Sequence, residues 1–135
     1  MQPNKTPSGT EFLYEQETFA IRGACFEFYK EMGPGFLESV YQECLAREFA
    51  RQNIPFVAQQ QLSLQYKGEL LTQTFVPDFF CNDKIVIEIK GTREFAPEHK
   101  AQLLNYLKAT RMRLGLLVNF GHYPKVQIER MAKSF

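Results

Sequence analysis

The sequence is short of nearly every device that would place it outside ordinary globular chemistry. No apolar run reaches the roughly 18 residues of a membrane-spanning helix. Cysteine is scarce. Cys25, Cys44 and Cys81 are odd in number and far apart, and no CxxC pair occurs, which argues against a disulfide framework or a zinc knuckle. A reducing, cytoplasmic setting is the default for such a chain. Histidine is scarcer still. His99 and His122 have neither the spacing to complete a zinc site with the cysteines nor the placement expected of a metal-free ribonuclease working by general acid–base chemistry. Residues 1–10 are polar, carry Pro3, Pro7 and Gly9, and lack the apolar region of a signal peptide. Residues 1–14 are therefore read as a flexible lead-in and 15–135 as a single domain. A chain of 135 residues leaves no room for a separate recognition domain such as a zinc finger or helix-turn-helix.

What is present suits one core. Hydrophobic residues make up 44% of the chain and charged residues 23%, as in a folded globular domain. The net charge of +1 says little about partners, but its distribution says more. Residues 1–83 hold six Lys and Arg against eleven Asp and Glu, whereas residues 84–135 hold ten against four. Either the basic half supplies phosphate contacts, or its helix and loop surfaces are basic by chance.

Periodicity predicts a helix over Glu15–Glu31, with Ile21, Ala24, Cys25, Phe28 and Met32 on one face. Gly33-Pro34-Gly35 stops it. A second helix is predicted from Leu37 to Gln52, turning Leu37, Val40, Tyr41, Cys44, Leu45 and Phe49 inward. Gln61–Tyr66 alternates and Lys67-Gly68-Glu69 reads as a turn, so residues 57–90 are expected to form a meander of three strands. Pro97 opens a third helix, to Thr110. Leu114–Asn119 reads as a buried strand, Gly121-His122-Tyr123-Pro124 as a turn, and Val126–Met131 as a final edge strand. This order implies a sheet with helices on its faces.

One stretch stands out chemically. In Ile85–Lys90 the alternation puts Ile85, Ile87 and Ile89 on one face and Val86, Glu88 and Lys90 on the other. A carboxylate and an ammonium inside such a run cost several kcal/mol per ion, on the order of magnitude of any buried charge, unless each is partnered. Upstream, Asp78 follows Pro77 in the apolar run Phe75–Phe80, and Cys81-Asn82-Asp83-Lys84 reads as a turn. A hairpin of this length returns Asp78 towards Glu88, so two carboxylates and a lysine converge on one sheet face. Such a set suits Mg²⁺, which needs hard oxygen ligands and few of them. Read blandly, Pro77-Asp78 is a turn dipeptide and Glu88-Ile89-Lys90 a solvated cross-strand pattern.

Pro77-Asp78 followed by Glu88-Ile89-Lys90 resembles the signature of the PD-(D/E)xK nuclease superfamily. Gly35-Phe36-Leu37-Glu38-Ser39-Val40-Tyr41 resembles the GxxExxY proteins, small bacterial proteins assigned to that superfamily. The likeness runs from about Phe19 to Met131 and includes Leu103–Thr110 and Gly115–Gly121. It implies an α/β, restriction-endonuclease-like three-layer core, αβββαβ, with an extra N-terminal helix and a C-terminal edge strand. It implies phosphodiester hydrolysis of nucleic acid, DNA first, with Mg²⁺ or Mn²⁺ held by Asp78, Glu88 and the Ile89 carbonyl. Lys90 would then assist the attacking water. Gln102, four residues before Tyr106, resembles the Gln of the exonuclease-like branch and would orient water or phosphate; otherwise it is a solvated helix residue. Glu38 would either support the metal or complement a helix dipole, and Tyr41 is assigned to packing. Tyr106, His99 and Arg93 are the remaining candidates for substrate contact. A homodimer or a protein partner could supply specificity. The rival reading is an inactive nuclease-fold module that binds nucleic acid or a protein.

Overall fold

The computed structural model describes residues 13–135. Most of the expected lead-in lies outside the described residues. Within them, Leu13 and Tyr14 form a turn and pack against the core.

Two helices come first. α1 (Glu15–Met32) carries Glu15 and Glu17 in its first turn and Lys30 in its last, matching the helix dipole. It buries Ile21, Ala24, Cys25 and Phe28, while Met32, expected on that face, lies at the helix end and is 37% exposed. α2 (Glu38–Arg51) buries Tyr41, Leu45 and Phe49. Leu37 does not join them. It precedes the helix in an extended conformation, which points its side chain off the helical stripe and leaves it 76% exposed.

The strands depart from the expected meander. Five of them, β1 (Phe56–Ala58), β4 (Phe79–Cys81), β5 (Ile85–Lys90), β6 (Leu114–Asn119) and β7 (Gln127–Ala132), form the main sheet in the order β1-β4-β5-β6-β7. β2 (Leu62–Tyr66) and β3 (Glu69–Phe75) form a separate antiparallel hairpin. The break lies at Val76–Asp78, inside the run taken as one strand, and its cause is Pro77. A proline has no N–H for the ladder, so pairing cannot run through it. Sequence periodicity also missed β1, whose three residues are too few to show any. β5 and β6 are parallel, joined through α3 (Pro97–Thr110), and the other neighbours are antiparallel. β7 is the expected edge strand.

Three layers result. On one side of the sheet Phe79, Ile85, Ile87, Ile89, Leu114, Leu116 and Val118 pack under α1 and α2. On the other side Phe80, Val86 and Leu117 meet Leu103 and Leu107 of α3, and Leu62 and Phe75 of the hairpin extend that cluster. Both faces of β5 are thus covered along its first half, as a central strand beside a parallel neighbour requires. Glu88 and Lys90 lie near its C-terminal end, where the cover thins to intermediate exposure.

That end of the sheet is tightly drawn. Buried Asn119, the last residue of β6, accepts N–H groups from Thr92 and Gly121, each at 3.0 Å, and donates to Gln127. A Cβ on Gly121 would come within 2.6 Å of backbone atoms of Gly91 and Thr92. Glycine is therefore needed there for close approach. By contrast, Gly23, exposed within α1, has nothing near its missing Cβ. Gly121→Ala should lower the unfolding free energy by about 1–3 kcal/mol, the cost of forcing packed backbone apart. Gly23→Ala should raise it by about 0.5–1 kcal/mol. Urea titration of both variants checks the pair. Equal and small effects would mean that the β5 and β6 exits are not in contact.

Candidate active site

The hairpin joining β4 to β5 builds the site. Asn82 and Asp83 both have positive φ, 55° and 57°, and Lys84 N–H donates to Cys81 O at 3.0 Å. Asn and Asp tolerate this left-handed pair better than other side chains, and such a turn joins antiparallel strands tightly. It sets Phe79 opposite Ile87. One step on, Asp78 faces Glu88. The ladder goes no further: Pro77, which follows on this side, has no N–H to give to a partner strand.

The two carboxylates are cross-linked through backbone. Asp78 N–H donates to Glu88 Oε1 at 3.1 Å, and Ile89 N–H donates to Asp78 Oδ2 at 2.7 Å. The Asp78 carbonyl accepts from Gln59 N–H at 3.2 Å and, at a long 3.5 Å, from Gln42 Nε2. Asp78 Oδ1 and Glu88 Oε2 keep no hydrogen-bond partner among the described residues.

Electrostatics mark the pair as strained when ionised. Burial pushes Glu88 up to about 7, and the Asp78 charge adds to this, while the Asp78 N–H and Lys90 pull it back. Burial also raises Asp78; the Ile89 N–H and Lys90 oppose the rise and Glu38 adds to it. Among the described residues Lys90 is thus the one cation that acts on both carboxylates. Its own strand position is fixed by Phe120 N–H, which donates to Lys90 O at 3.0 Å.

Glu38 reaches the same end of β5 from α2. Its Oε2 accepts the Gly91 N–H at 2.9 Å, one residue beyond Lys90. The motif around it has a physical explanation. Gly35 has φ 103°, a conformation that favours glycine, and the hydroxyl of buried Tyr41 accepts Phe36 N–H at 2.8 Å. Gly35 and Tyr41 shape the turn into α2, and Glu38 ties that turn to β5. Tyr41 also packs against Phe28, Phe36 and Phe120, in keeping with its assignment to packing.

On the α3 side, Gln102, His99 and Tyr106 line a narrow crevice with Glu88 and Lys90. The crevice has no room for a water molecule. Gln102 is exposed there. His99 is partly committed: its Nδ1 accepts the Ala96 N–H at 3.1 Å at the start of α3. The Tyr106 ring stacks on Phe75, centroids 4.1 Å apart and planes 7° apart, and so fastens the hairpin to α3. Arg93 lies exposed on the loop after β5 and is not among the residues lining the crevice. Residues that periodicity passed over are Asn119 and Gln42. A polar residue closing the apolar run Leu114–Val118 was the available signal for the first; nothing local marks the second.

The donor set fits a hard divalent cation. Two carboxylates, each with one oxygen to spare, and the Ile89 carbonyl on the same strand as Glu88 are oxygen donors of the type Mg²⁺ or Mn²⁺ takes. Among the described residues no three His, Cys, Asp or Glu side chains are grouped for metal binding. Glu38, the third acid, is turned to the Gly91 N–H instead.

Comparison with known proteins agrees with this geometry. The profile of the PD-(D/E)XK nuclease superfamily matches residues 15–131. No curated protein matches the sequence. Among solved structures, an alkaline exonuclease from Laribacter hongkongensis superposes with a TM-score of 0.52 at 13% identity, over 72% of this chain and 56% of the exonuclease. The chain thus spans little over half the length of that protein, and the likeness is one of fold. SSO0001 is 18% identical over 93% of this chain and 78% of its own, with a TM-score of 0.47.

A pH prediction follows from the carboxylate pair. Folding raises Glu88 from 4.5 to about 7, so the folded state holds a proton that the unfolded state releases. Stability of the metal-free protein should therefore fall as pH rises from about 4.5 through about 7 and level off above. Glu88→Gln keeps an acceptor for the Asp78 N–H and removes the charge. It should be more stable than wild type by about 1–2 kcal/mol near pH 8 and nearly equal near pH 5, by urea unfolding in EDTA. A constant difference between the two pH values would contradict the raised Glu88.

Proposed function

The chain belongs to the PD-(D/E)XK nuclease superfamily, and we propose on that premise that it hydrolyses phosphodiester bonds of nucleic acid with Mg²⁺ or Mn²⁺. The observation that carries the reading is the reciprocal Asp78–Glu88 arrangement with Lys90 beside it. Nucleic acid as substrate accords with the superfamily. DNA is the substrate we assign first, and cleavage of DNA against RNA of the same sequence tests that choice. The Gly35–Glu38–Tyr41 geometry supports placing the chain among the GxxExxY proteins.

Asp78, Glu88 and the Ile89 carbonyl would hold the ion. When bound, such an ion polarises a phosphoryl oxygen and lowers the pKa of a coordinated water. The remaining steps belong to the chain. Backbone N–H groups of Asp78 and Ile89 fix one oxygen of each carboxylate, which leaves the other directed by geometry that does not need to reorganise. Lys90 Nζ donates to the attacking water and offsets charge that builds on the phosphoryl oxygens. Gln102 Nε2 donates to the water or to a phosphate oxygen. Glu38, through Gly91 N–H, holds the end of β5 still and so positions Lys90.

The rival reading keeps the fold for binding only. It gains from the fact that both carboxylates already cap backbone N–H groups. It has no use for two half-buried acids whose charges oppose each other, which an inactive module would be better without.

Lys90→Met separates the two. It keeps the apolar stem and removes the ammonium. The Mn²⁺-dependent cleavage rate should fall by about a hundredfold or more, on the order of 3 kcal/mol of transition-state stabilisation. Nucleic-acid affinity in Ca²⁺ should change little. Equal loss of binding and cleavage would reduce Lys90 to a phosphate contact. Failure of the wild type to cleave any DNA or RNA with either ion would favour the binding module.

A further inference from the structure

A second feature lies on the α3 side of the sheet, away from the acidic pair. The tip of the β2–β3 hairpin and the C-terminal half of α3 enclose an open groove of about 430 Å³. Gln65, Tyr66, Lys67, Asn105, Lys108 and Arg111 line it, and no Asp or Glu does. Glu69, the nearest acid in the hairpin, pairs across the strands from Tyr66 and stays outside the lining. Lys67, Lys108 and Arg111 are exposed, and none forms a salt bridge among the described residues. Arg47, exposed on α2, is by contrast paired with Glu43.

Aromatic surface accompanies the charge. Tyr66 is 60% exposed at the hairpin tip, with the Lys67 ammonium 5.5 Å from its ring centre. The tip itself is a tight turn with positive φ at Lys67 and Gly68, and it protrudes from the hairpin, whose buried anchors are Leu62 and Phe75. Cations interleaved with an open ring and side-chain amides are what a nucleic-acid strand uses: phosphates pair with the cations and an unpaired base stacks on the ring.

The groove is also in line with the acidic site. Gln102 and Asn105 are three residues apart on α3 and so share one edge of the helix. From Gln102 to Lys108 the helix rises about 9 Å. That is about one to three nucleotides of an unpaired strand, whose spacing is at least the roughly 3.4 Å of a stacked one.

We infer that this groove seats a single-stranded stretch of the nucleic-acid substrate a short way along the strand from the reacting phosphate, with Lys67, Lys108 and Arg111 on phosphates and Tyr66 as the platform for a base. The inference rests on the nuclease reading for the position of the reacting phosphate, and only there. The groove's charge and aromatic content stand independently of catalysis. An unpaired strand is favoured over a duplex because a base held in a duplex stack cannot lie on Tyr66.

The test uses fluorescein-labelled oligothymidylate of about twelve nucleotides and a duplex of equal length, titrated by anisotropy in EDTA so that nothing is cut. Wild type should bind the single strand more tightly than the duplex. The triple variant Lys67→Gln, Lys108→Gln, Arg111→Gln should lose about tenfold or more in affinity, and its salt slope should fall by about 2, as for three lost phosphate contacts on a single strand. A control triple variant on the opposite face, Lys30→Gln, Arg47→Gln, Arg51→Gln, should bind as wild type. Tyr66→Ala should erase the preference for single strand while leaving the salt slope unchanged. Equal loss in both triple variants, no loss in the first, tighter binding of duplex by wild type, or no binding at all would each overturn the groove assignment. The nuclease reading has its own readout: absent cleavage with intact groove-dependent binding would sink that reading and leave the groove standing. Intact cleavage with unchanged binding in the first triple variant would sink the groove alone.

Discussion

The reciprocal capping of Asp78 and Glu88 is the interaction on which the functional end of the molecule depends. Each carboxylate spends one oxygen on a backbone N–H near the other's position, Asp78 N–H to Glu88 and Ile89 N–H to Asp78. This places two acids closer than their charges alone would allow. The strain is visible in both groups: burial raises each, the Asp78 charge adds to the rise at Glu88, and the Glu38 charge adds to it at Asp78. The pair also stitches β4 to β5 at the point where Pro77 ends the regular ladder, so the same bonds replace the missing backbone pairing and aim the remaining oxygens. Stability at this end of the sheet and readiness for a cation therefore oppose each other.

Around that pair the structure is a set of restraints converging on the C-terminal ends of β5 and β6. Glu38 fastens Gly91, Phe120 N–H fastens the Lys90 carbonyl, and Asn119 fastens Thr92 and Gly121. Each uses a different element, α2, the exit of β6 and the last residue of β6. None of them needs to touch a substrate to matter, because a side chain on β5 can be no better placed than the strand that carries it. The opposite layer is less constrained. The β2–β3 hairpin stands outside the main sheet, anchored by Leu62, Phe75 and the Phe75–Tyr106 stack, while its strands are otherwise largely exposed.

Much of this was legible from the chain. The alternation in Ile85–Lys90 carries its two-face assignment directly, because a strand has only two faces. Pro97 marks the start of α3, which ends at Thr110 as expected, and Leu114–Asn119 stands out as a buried strand. The turn Cys81–Lys84 was readable because Asn and Asp are the residues that accept positive φ. What escaped was long-range. β1 is three residues long, and its partner lies more than twenty positions away, so no local period reports it. The hairpin's separation from the sheet depends on one absent N–H at Pro77, a chemical cue overruled by the continuous apolar run around it. Leu37 and Met32 were placed inward because periodicity extends a stripe past the residues where helix geometry ends. Tyr106, a candidate for substrate contact, is stacked on Phe75, a partner thirty-one positions earlier that no spacing rule could supply.

The short turn at Asn82-Asp83 has a further consequence for how this protein can change over generations. Substitutions around the hairpin can adjust the site by degrees, since each alters one contact. A change in length cannot. One residue gained or lost between Asp78 and Glu88 would exchange the two sheet faces for every position on one strand. Asp78 would then turn toward α1 and α2, while buried Phe79 would move to the face that held the acid. Core and site would fail together. Loss of function by insertion or deletion here is therefore expected to be abrupt and inseparable from misfolding, whereas the hairpin tip at Lys67-Gly68, which guards no such register in the main sheet, leaves room for length to drift.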